Sequence, residues 1–439
     1  MKKKILFFIA VFFCVSIASA ANTDLADFLS RTRQNFWEIT PEQCSKLLGV
    51  TVRAQNKAAS IMRYHKNESM NYVRFNGDII PEIIFYFDKK QLQSAMISIY
   101  NRGDNGVMAE KKFQLLNSQV EQFIKDLSKD DTPLQETRKF DKFRVEAVIR
   151  QDEFCDYVLR RNRKGKHPEY IQLLIYPTGK AKTLRNSLRS DTKKNQLQLN
   201  LNIEDNGDNY LDIPMVNQGS KGYCVDATVE RIMKYYGSEI DQQIIAQLAE
   251  SDAYTGTSIN KIINVLQKNK SKLKINADKK YDDDLLSFSE IQNFTKTYNN
   301  FAKKQKRPRL DFSDFLIGKQ RRQRAKHVNY KTLISSYEYE IFRDARCKDK
   351  NDVEKFTKNI YESLNKGIPL AWVTFTFKNM KKNSPVDDFG FHMRIINGFN
   401  RKNNQIIYTD SWGKGHEKKY MSINDARAIT LMLLQITPR

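Results

Sequence analysis

The feature that most constrains the fold is a cysteine placed where a glycine-containing loop runs into a helical pattern. Gln218, Gly222 and Cys224 lie in one short stretch, and apolar residues at helical spacing follow until Gly237. A thiol at a helix N-terminus faces the positive end of the helix dipole, which favours the thiolate. Gly222 allows close backbone approach to a substrate, and the Gln218 amide is placed to donate to an oxyanion. The pattern predicts a nucleophilic cysteine, with a small buried structural cysteine as the alternative.

Two strand patterns near the C-terminus supply partners for such a thiol. His392 lies at the start of the buried pattern 390–399, and the next pattern, 405–410, ends at Asp410. A hairpin turned at residues 401–404 brings Asp410 back beside His392. A general base has to be held in one tautomer and orientation, and a carboxylate bonded to its second ring nitrogen does this.

These motifs together resemble the papain-like cysteine peptidases, especially their bacterial relatives, which include the bacteriocin-processing type. The resemblance rests on Gln218, Gly222 and Cys224, on the strand-borne His392, and on the run Asp410 to Gly413. It implies an α+β fold for the C-terminal domain, in which an early helix carries the cysteine and an antiparallel sheet carries the histidine and aspartate.

The resemblance also implies a role for each matching residue. Cys224 is the expected nucleophile and His392 its base, while Asp410 orients the base. Gln218 and the backbone N–H of Cys224 form the expected oxyanion hole. Trp412 is expected to shield the bond between His392 and Asp410 from water, although ordinary core packing explains it equally well.

The chain departs from papain in several ways. Asp410 stands where papain has an asparagine, as in related groups with an aspartate there. The segment between cysteine and histidine is longer, and the usual disulfide cysteines are missing, so substrate pockets do not carry over. His416 is an alternative base, but the glycines on either side of Lys414 argue against it.

The expected activity is hydrolysis of peptide bonds through a thioacyl-enzyme, with a polypeptide substrate and without metal or organic cofactor. An acyltransferase or transglutaminase-like enzyme using the same triad is an alternative. Another is a catalytically silent basic protein that binds an anionic partner.

The N-terminus predicts export. Three lysines precede an apolar run from Ile5 to Ile17 that closes near Ala20, as in a secretory signal peptide (1–20). The run is shorter than the about 20 residues of a membrane-spanning helix, and no later stretch is long enough. We expect a protein that does not span a membrane and that acts in the periplasm or outside the cell.

The formal charge of +23 favours anionic partners such as a surface or polymer, although a lysine-rich surface without a specific ligand is equally plausible. The motifs of P-loop, zinc-protease and zinc-finger proteins are absent, so no specific nucleic acid is predicted. Cys44, Cys155, Cys224 and Cys347 follow the signal peptide and contain no C-x-x-C pair. If Cys224 is a free nucleophile, at least one other cysteine is unpaired.

The 439 residues predict two domains. A separate, smaller α+β domain is expected over 21–183, a basic linker over 184–200 and the papain-like domain over 201–439. The peptidase domain is expected to contain a basic insertion at about 268–350, interpreted as a solvated surface or as a partner-binding flap.

Within the N-terminal domain, Glu42 to Tyr64 shows helical spacing, and a hairpin, a helix and three strands are predicted after it. His65 and His167 are interpreted as isolated structural residues. The domain is expected to be an inhibitory pro-region, an adaptor or a targeting module, and cleavage within 179–200 is expected to release the peptidase.

Overall fold

The structure is a computed structural model that describes residues 23–54, 61–139, 144–162, 168–181, 194–216, 218, 223–238, 240, 242–249, 251, 259–317, 327–376, 390–413 and 415–439. The predicted signal peptide, most of the predicted linker, His167 and Gly222 lie outside these residues. Those predictions therefore stay predictions.

The N-terminal region is built on one large antiparallel sheet. Its helices are α1 (Leu25–Thr32), α2 (Cys44–Leu48), α3 (Arg102–Asn105) and α4 (Glu110–Ser128), with 3-10 turns at Arg33–Glu38 and Lys66–Glu68. Its strands are β1 (Thr23–Asp24), β2 (Arg53–Ala54), β3 (Ile61–His65), β4 (Val73–Phe75), β5 (Asp78–Ile79), β6 (Glu82–Asp88), β7 (Gln91–Asn101), β8 (Leu134–Lys139), β9 (Arg144–Gln151), β10 (Cys155–Asn162) and β11 (Tyr170–Pro177). The large sheet has the order β2-β3-β6-β7-β11-β10-β9-β8, and β1, β4 and β5 form a small one.

The predicted hairpin, long helix and three strands of this region are confirmed by β6 and β7, by α4, and by β9 to β11. The helix predicted over Glu42 to Tyr64 is wrong. Among the described residues of this range, the one helix is the short α2, which ends where Gly49 adopts a left-handed conformation (φ 60°), and strands β2 and β3 follow. Met62 and Tyr64 fit the helical spacing, but their positions on β3 bury them in the sheet core instead.

The large N-terminal sheet is covered on both faces. Tyr157 and Leu159 on β10 pack in one core with α4, whereas Val158 between them packs in the core of the C-terminal region. Successive side chains of a strand point to opposite faces, so the second face lies against the C-terminal region. Polar contacts join the two regions as well: Arg102 Nη2 donates to the carbonyl of Ser251 (2.8 Å).

The C-terminal region combines helices with a second antiparallel sheet. The helices are α5 (Cys224–Tyr235), α6 (Gln242–Ala249), α7 (Ile259–Lys268), α8 (Lys270–Leu273), α9 (Phe288–Lys304), α10 (Tyr330–Ser336), α11 (Tyr339–Arg346), α12 (Lys350–Asn365) and α13 (Ile423–Ile429), with 3-10 turns at Lys194–Asn200, Asp284–Leu286 and Phe312–Phe315. The strands are β12 (Leu201–Ile203), β13 (Asp208–Leu211), β14 (Ile275–Asp282), β15 (Leu316–Ile317), β16 (His327–Val328), β17 (Leu370–Thr376), β18 (Gly390–Asn400), β19 (Gln405–Thr409), β20 (Lys419–Ser422) and β21 (Thr430–Pro438).

The second sheet runs β12-β13-β18-β17-β21-β14, with β19 paired to β18 and β20 paired to β19. Helix α5 packs against β18 and β17. The mixture of helices and antiparallel sheets agrees with the predicted α+β class.

Residues 268–350, predicted as an insertion, contribute to this body. Strand β14 pairs along the sheet edge with β21, and α9 and α11 bury Ile291, Phe294 and Phe342 in the common core. Of the two basic runs in this segment, 303–309 and 321–326, the second lies outside the described residues, and the predicted flap stays a prediction. Over the part of the chain that the structure describes, no helix has the length and apolarity needed to cross a membrane.

Candidate active site

Cys224 is the first residue of α5, at the end of the helix where backbone N–H groups lack helical partners. The helix is buried along most of its length, and it is tied to the sheet because the Thr228 hydroxyl donates to the carbonyl of Met393 (3.2 Å). The helix therefore holds the thiol at a fixed point beside β18. The predicted cysteine at a helix start is confirmed as a structural feature.

His392 faces this thiol from strand β18, where it pairs with Thr374 of β17 and is 6% exposed. Burial alone raises the pKa of Cys224. The hydrogen bond to His392, the charge of its ring and a hydrogen bond with the backbone of Met393 outweigh burial, so the pKa lies below its ordinary value. The arrangement thus favours a thiolate.

Asp410 follows β19, which returns antiparallel to β18 after a turn at residues 401–404, so the predicted hairpin is confirmed. The Asp410 carboxylate is 1% exposed, and its Oδ1 lies 3.3 Å from His392 Nε2. Burial lowers the pKa of His392, but the contacts with Asp410 and Cys224 outweigh it and raise the pKa. The structure therefore places Cys224, His392 and Asp410 next to one another in this order.

Trp412 packs against His392. Its ring stacks on the His392 imidazole, with the centroids 4.7 Å apart and the planes 17° apart. An indole in this position keeps water away from one face of the imidazole. The contact fits the predicted shielding role.

Gln218 lies next to the same segment, since its backbone N–H donates to the carbonyl of Ser411 (2.9 Å) and its side chain is 8% exposed. The loop before Cys224 is thereby tied to the run that follows Asp410. The oxyanion role of Gln218 and the supporting role of Gly222 stay predictions.

Sequence reasoning missed the cations around Asp410. Arg394 Nε lies 2.9 Å from Asp410 Oδ1, and Lys419 Nζ lies 2.7 Å from Oδ2. The fully buried Arg231 donates from Nη1 to the Asp410 carbonyl (2.8 Å). Burial raises the pKa of Asp410, but the charge of Arg394 and the contact with His392 hold it well below its ordinary value.

One of these cations was detectable in the sequence. Arg394 follows His392 by two positions, and on a strand that spacing places both side chains on the same face. Lys419 and Arg231 come from β20 and α5, so only the folded chain brings them to Asp410.

His416, the alternative base, lies on the far side of Asp410. Its Nδ1 is 4.0 Å from Asp410 Oδ2 and 2.8 Å from Lys419 Nζ, and its ring meets Trp412 edge-on. The histidine that lowers the pKa of the Cys224 thiol is His392. His392 is therefore the better candidate for the base.

Within the described ranges, no group of three or more histidine, cysteine, aspartate or glutamate side chains is arranged to hold a metal ion. The four described cysteines, Cys44, Cys155, Cys224 and Cys347, are free thiols.

The comparison with family models supports the resemblance derived from the motifs. Residues 285–430, about a third of the chain, match the Peptidase_C39 like family, a relative of the papain-like cysteine peptidases. The matched range contains His392 and Asp410 and begins after Cys224. A search of curated proteins found no match. Residues 285–430 are therefore similar to a family of cysteine peptidase type.

Proposed function

We propose that this protein is a peptidase that hydrolyses peptide bonds with Cys224 as nucleophile, His392 as general base and acid, and Asp410 as the orienting residue. One observation carries the proposal: a thiol at a helix N-terminus interacts with a buried histidine that itself lies 3.3 Å from a buried carboxylate. Nucleophile, base and orienting group in this order are the arrangement that acyl transfer requires.

In the first half of the reaction, the Cys224 thiolate attacks the carbonyl carbon of the peptide bond. The oxyanion accepts hydrogen bonds from the Gln218 side chain and the backbone N–H of Cys224. The protonated His392 then donates its proton to the leaving amine as the C–N bond breaks. The products of this half are the amine and a thioester on Cys224.

In the second half, neutral His392 accepts a proton from a water molecule that attacks the thioester. Collapse of the second tetrahedral intermediate breaks the C–S bond, releases the carboxylic acid and restores the thiolate and imidazolium. Throughout the cycle Asp410 holds the imidazole orientation, and Trp412 covers one face of its ring.

The substrate class implied by the family match is a polypeptide. We further propose that the protein is exported, because the first twenty residues have the pattern of a signal peptide. An anionic surface or polymer as a second partner stays a proposal based on the net charge of +23.

Two alternative functions differ in the fate of the thioester. An acyltransferase forms the same thioester and passes the acyl group to an amine. A catalytically silent binding protein forms no thioester. The first alternative predicts that added amines capture the acyl group in place of water. The second predicts an unreactive Cys224.

The test is covalent labelling of the purified protein with an epoxide inhibitor of papain-like enzymes, with the labelled residue identified by mass spectrometry. We expect labelling at Cys224 that is abolished in Cys224→Ala and strongly reduced in His392→Ala. Cys347→Ala is the matched control, because Cys347 is the other partly exposed cysteine and should leave labelling unchanged. Absence of labelling at Cys224 in the folded protein would refute the peptidase proposal and favour the binding protein.

A further inference from the structure

More cations contact the carboxylate of Asp410 than a Cys-His-Asp arrangement requires. The same oxygen, Oδ1, lies 3.3 Å from His392 Nε2 and 2.9 Å from Arg394 Nε. Lys419 Nζ lies 2.7 Å from the other oxygen. Two cations and the histidine therefore lie at the one carboxylate, and the buried guanidinium of Arg231 donates to the backbone carbonyl of the same residue (2.8 Å).

Arg394 cannot turn away from this position without large rearrangement. Its side chain is 9% exposed, and its guanidinium lies over the rings of Trp372 (5.8 Å) and Tyr408 (5.3 Å). Trp372 is its direct neighbour across β17 and β18. A buried guanidinium needs a counter-charge, and Asp410 supplies it.

Lys419 differs from Arg394 in its surroundings. Its side chain is 25% exposed, so water screens its charge and a flexible stem can carry the ammonium outward. Of the two cations that contact the carboxylate itself, Arg394 is therefore the one whose charge is less screened.

We infer that Arg394 is a positioning residue of this site: it pairs with Asp410, so that His392 lies against a nearly neutral ion pair rather than a bare carboxylate, much as it would lie against an amide. The inference rests on the proposed function in taking His392 as the base. Papain has a neutral asparagine where this chain has Asp410. The assignment to Arg394 explains the aspartate, because the aspartate and the arginine together replace one neutral side chain.

Two opposite electrostatic effects follow from this assignment. Replacing Asp410 alone leaves a buried, uncompensated guanidinium beside His392, which disfavours the imidazolium. Replacing Arg394 alone leaves Asp410 with its full charge, which stabilises the imidazolium. Replacing both removes the buried ion pair as a whole, so neither of its charges is left without the other, and the partly exposed Lys419 remains.

The test is a double-mutant cycle in the full-length protein with Asp410→Asn, Arg394→Gln and the double variant. We expect Asp410→Asn to lower kcat/KM by about 10²-fold or more. Arg394→Gln should cost less and move the alkaline limb of the pH profile upward. In the double variant we expect activity about tenfold above that of Asp410→Asn.

The matched control is Lys419→Gln, which removes the other cation from the same carboxylate. It should not rescue Asp410→Asn. Equal rescue by Lys419→Gln, or a double variant that is folded and no more active than Asp410→Asn, would overturn the assignment to Arg394. Arg394→Lys keeps the charge, so it should keep the position of the alkaline limb even if the glutamine variant is unstable.

A second readout does not depend on peptidase activity. The chain has five histidines, so ¹³C-labelled histidine resolves the titration of His392 by NMR, assigned with His392→Ala. In a Cys224→Ala background, Arg394→Gln should raise the pKa of His392, and an unchanged pKa would refute the inference. If no peptide is cleaved, the proposed function fails while this titration still decides the role of Arg394.

Discussion

A buried histidine lies beside an aspartate in both regions of the molecule, and the two pairs have the same spacing. His65 Nε2 is 3.3 Å from Asp104 Oδ1, and His392 Nε2 is 3.3 Å from Asp410 Oδ1. The other ring nitrogen of His65 accepts a hydrogen bond from the backbone N–H of Asn67. That nitrogen is therefore bonded to the neighbouring backbone rather than to a thiol. The His392 ring instead interacts with the thiol of Cys224, which raises the pKa of the histidine. A histidine-aspartate pair alone therefore does not mark an active site.

Cys224 differs in a similar way from the other described cysteines, including Cys347 of its own region. Burial raises the pKa of Cys44 and Cys155 to about 12 and that of Cys347 to about 11. At Cys224 burial acts in the same direction, but His392 outweighs it and the pKa is lowered. Because the thiolate is the reactive form, the neighbouring imidazole rather than burial distinguishes the candidate nucleophile.

The largest expected effect comes from removing each histidine in turn. His392→Ala should lower kcat/KM by about 10³-fold or more, because the base is lost. His65→Ala should leave kcat/KM nearly unchanged but lower the free energy of unfolding by about 1–3 kcal/mol, because Asp104 loses a buried partner. Kinetics and urea denaturation measure the two effects. A comparable loss of activity in a folded His65→Ala variant would contradict the contrast between the pairs.

A smaller effect is expected in the pH dependence of alkylation by iodoacetamide, followed by mass spectrometry at each cysteine. The pKa of Cys224 is lowered and that of Cys347 is raised to about 11, so the thiolate of Cys224 appears at lower pH. At pH 7 we expect alkylation of Cys224 to be faster by about tenfold or more, after allowing for the weaker nucleophilicity of a less basic thiolate. His392→Ala should remove most of this difference. Equal rates at both thiols in the unchanged protein would show that His392 does not activate Cys224.

The smallest effect on activity is expected from cutting the chain between the two regions. A protease site placed within residues 182–193 tests whether the N-terminal region is a removable pro-region. The sheet of that region shares a core with the C-terminal region, and Lys234 of α5 donates to the Tyr86 hydroxyl (3.3 Å). We therefore expect the two fragments to co-elute in gel filtration with little change in activity. Dissociation accompanied by a large gain in activity would instead support zymogen activation.

Local patterns predicted well where neighbouring residues decide the structure. The alternation of apolar residues located β6, β7 and β9 to β11, and the hairpin after β18 followed from its turn. The same reasoning failed over Glu42 to Tyr64, because apolar spacing in short segments does not distinguish a buried strand from a helix. Pairing with β6 along the whole segment, and with β2 at Met62 and Arg63, makes residues 61–65 a strand.

By itself, the sequence supplied the loop, helix start and strand patterns of the C-terminal region, because these are local, and the resemblance carried by them implied the class of the fold and the candidate triad. The tertiary structure alone decided the surroundings of that triad. Arg231 and Lys419 come from distant segments, and their positions around Asp410 depend on the packing of α5 and β20 against the sheet. The second packed face of the N-terminal sheet was likewise undetermined, because an apolar strand pattern shows that a face is buried but not which part of the chain covers it.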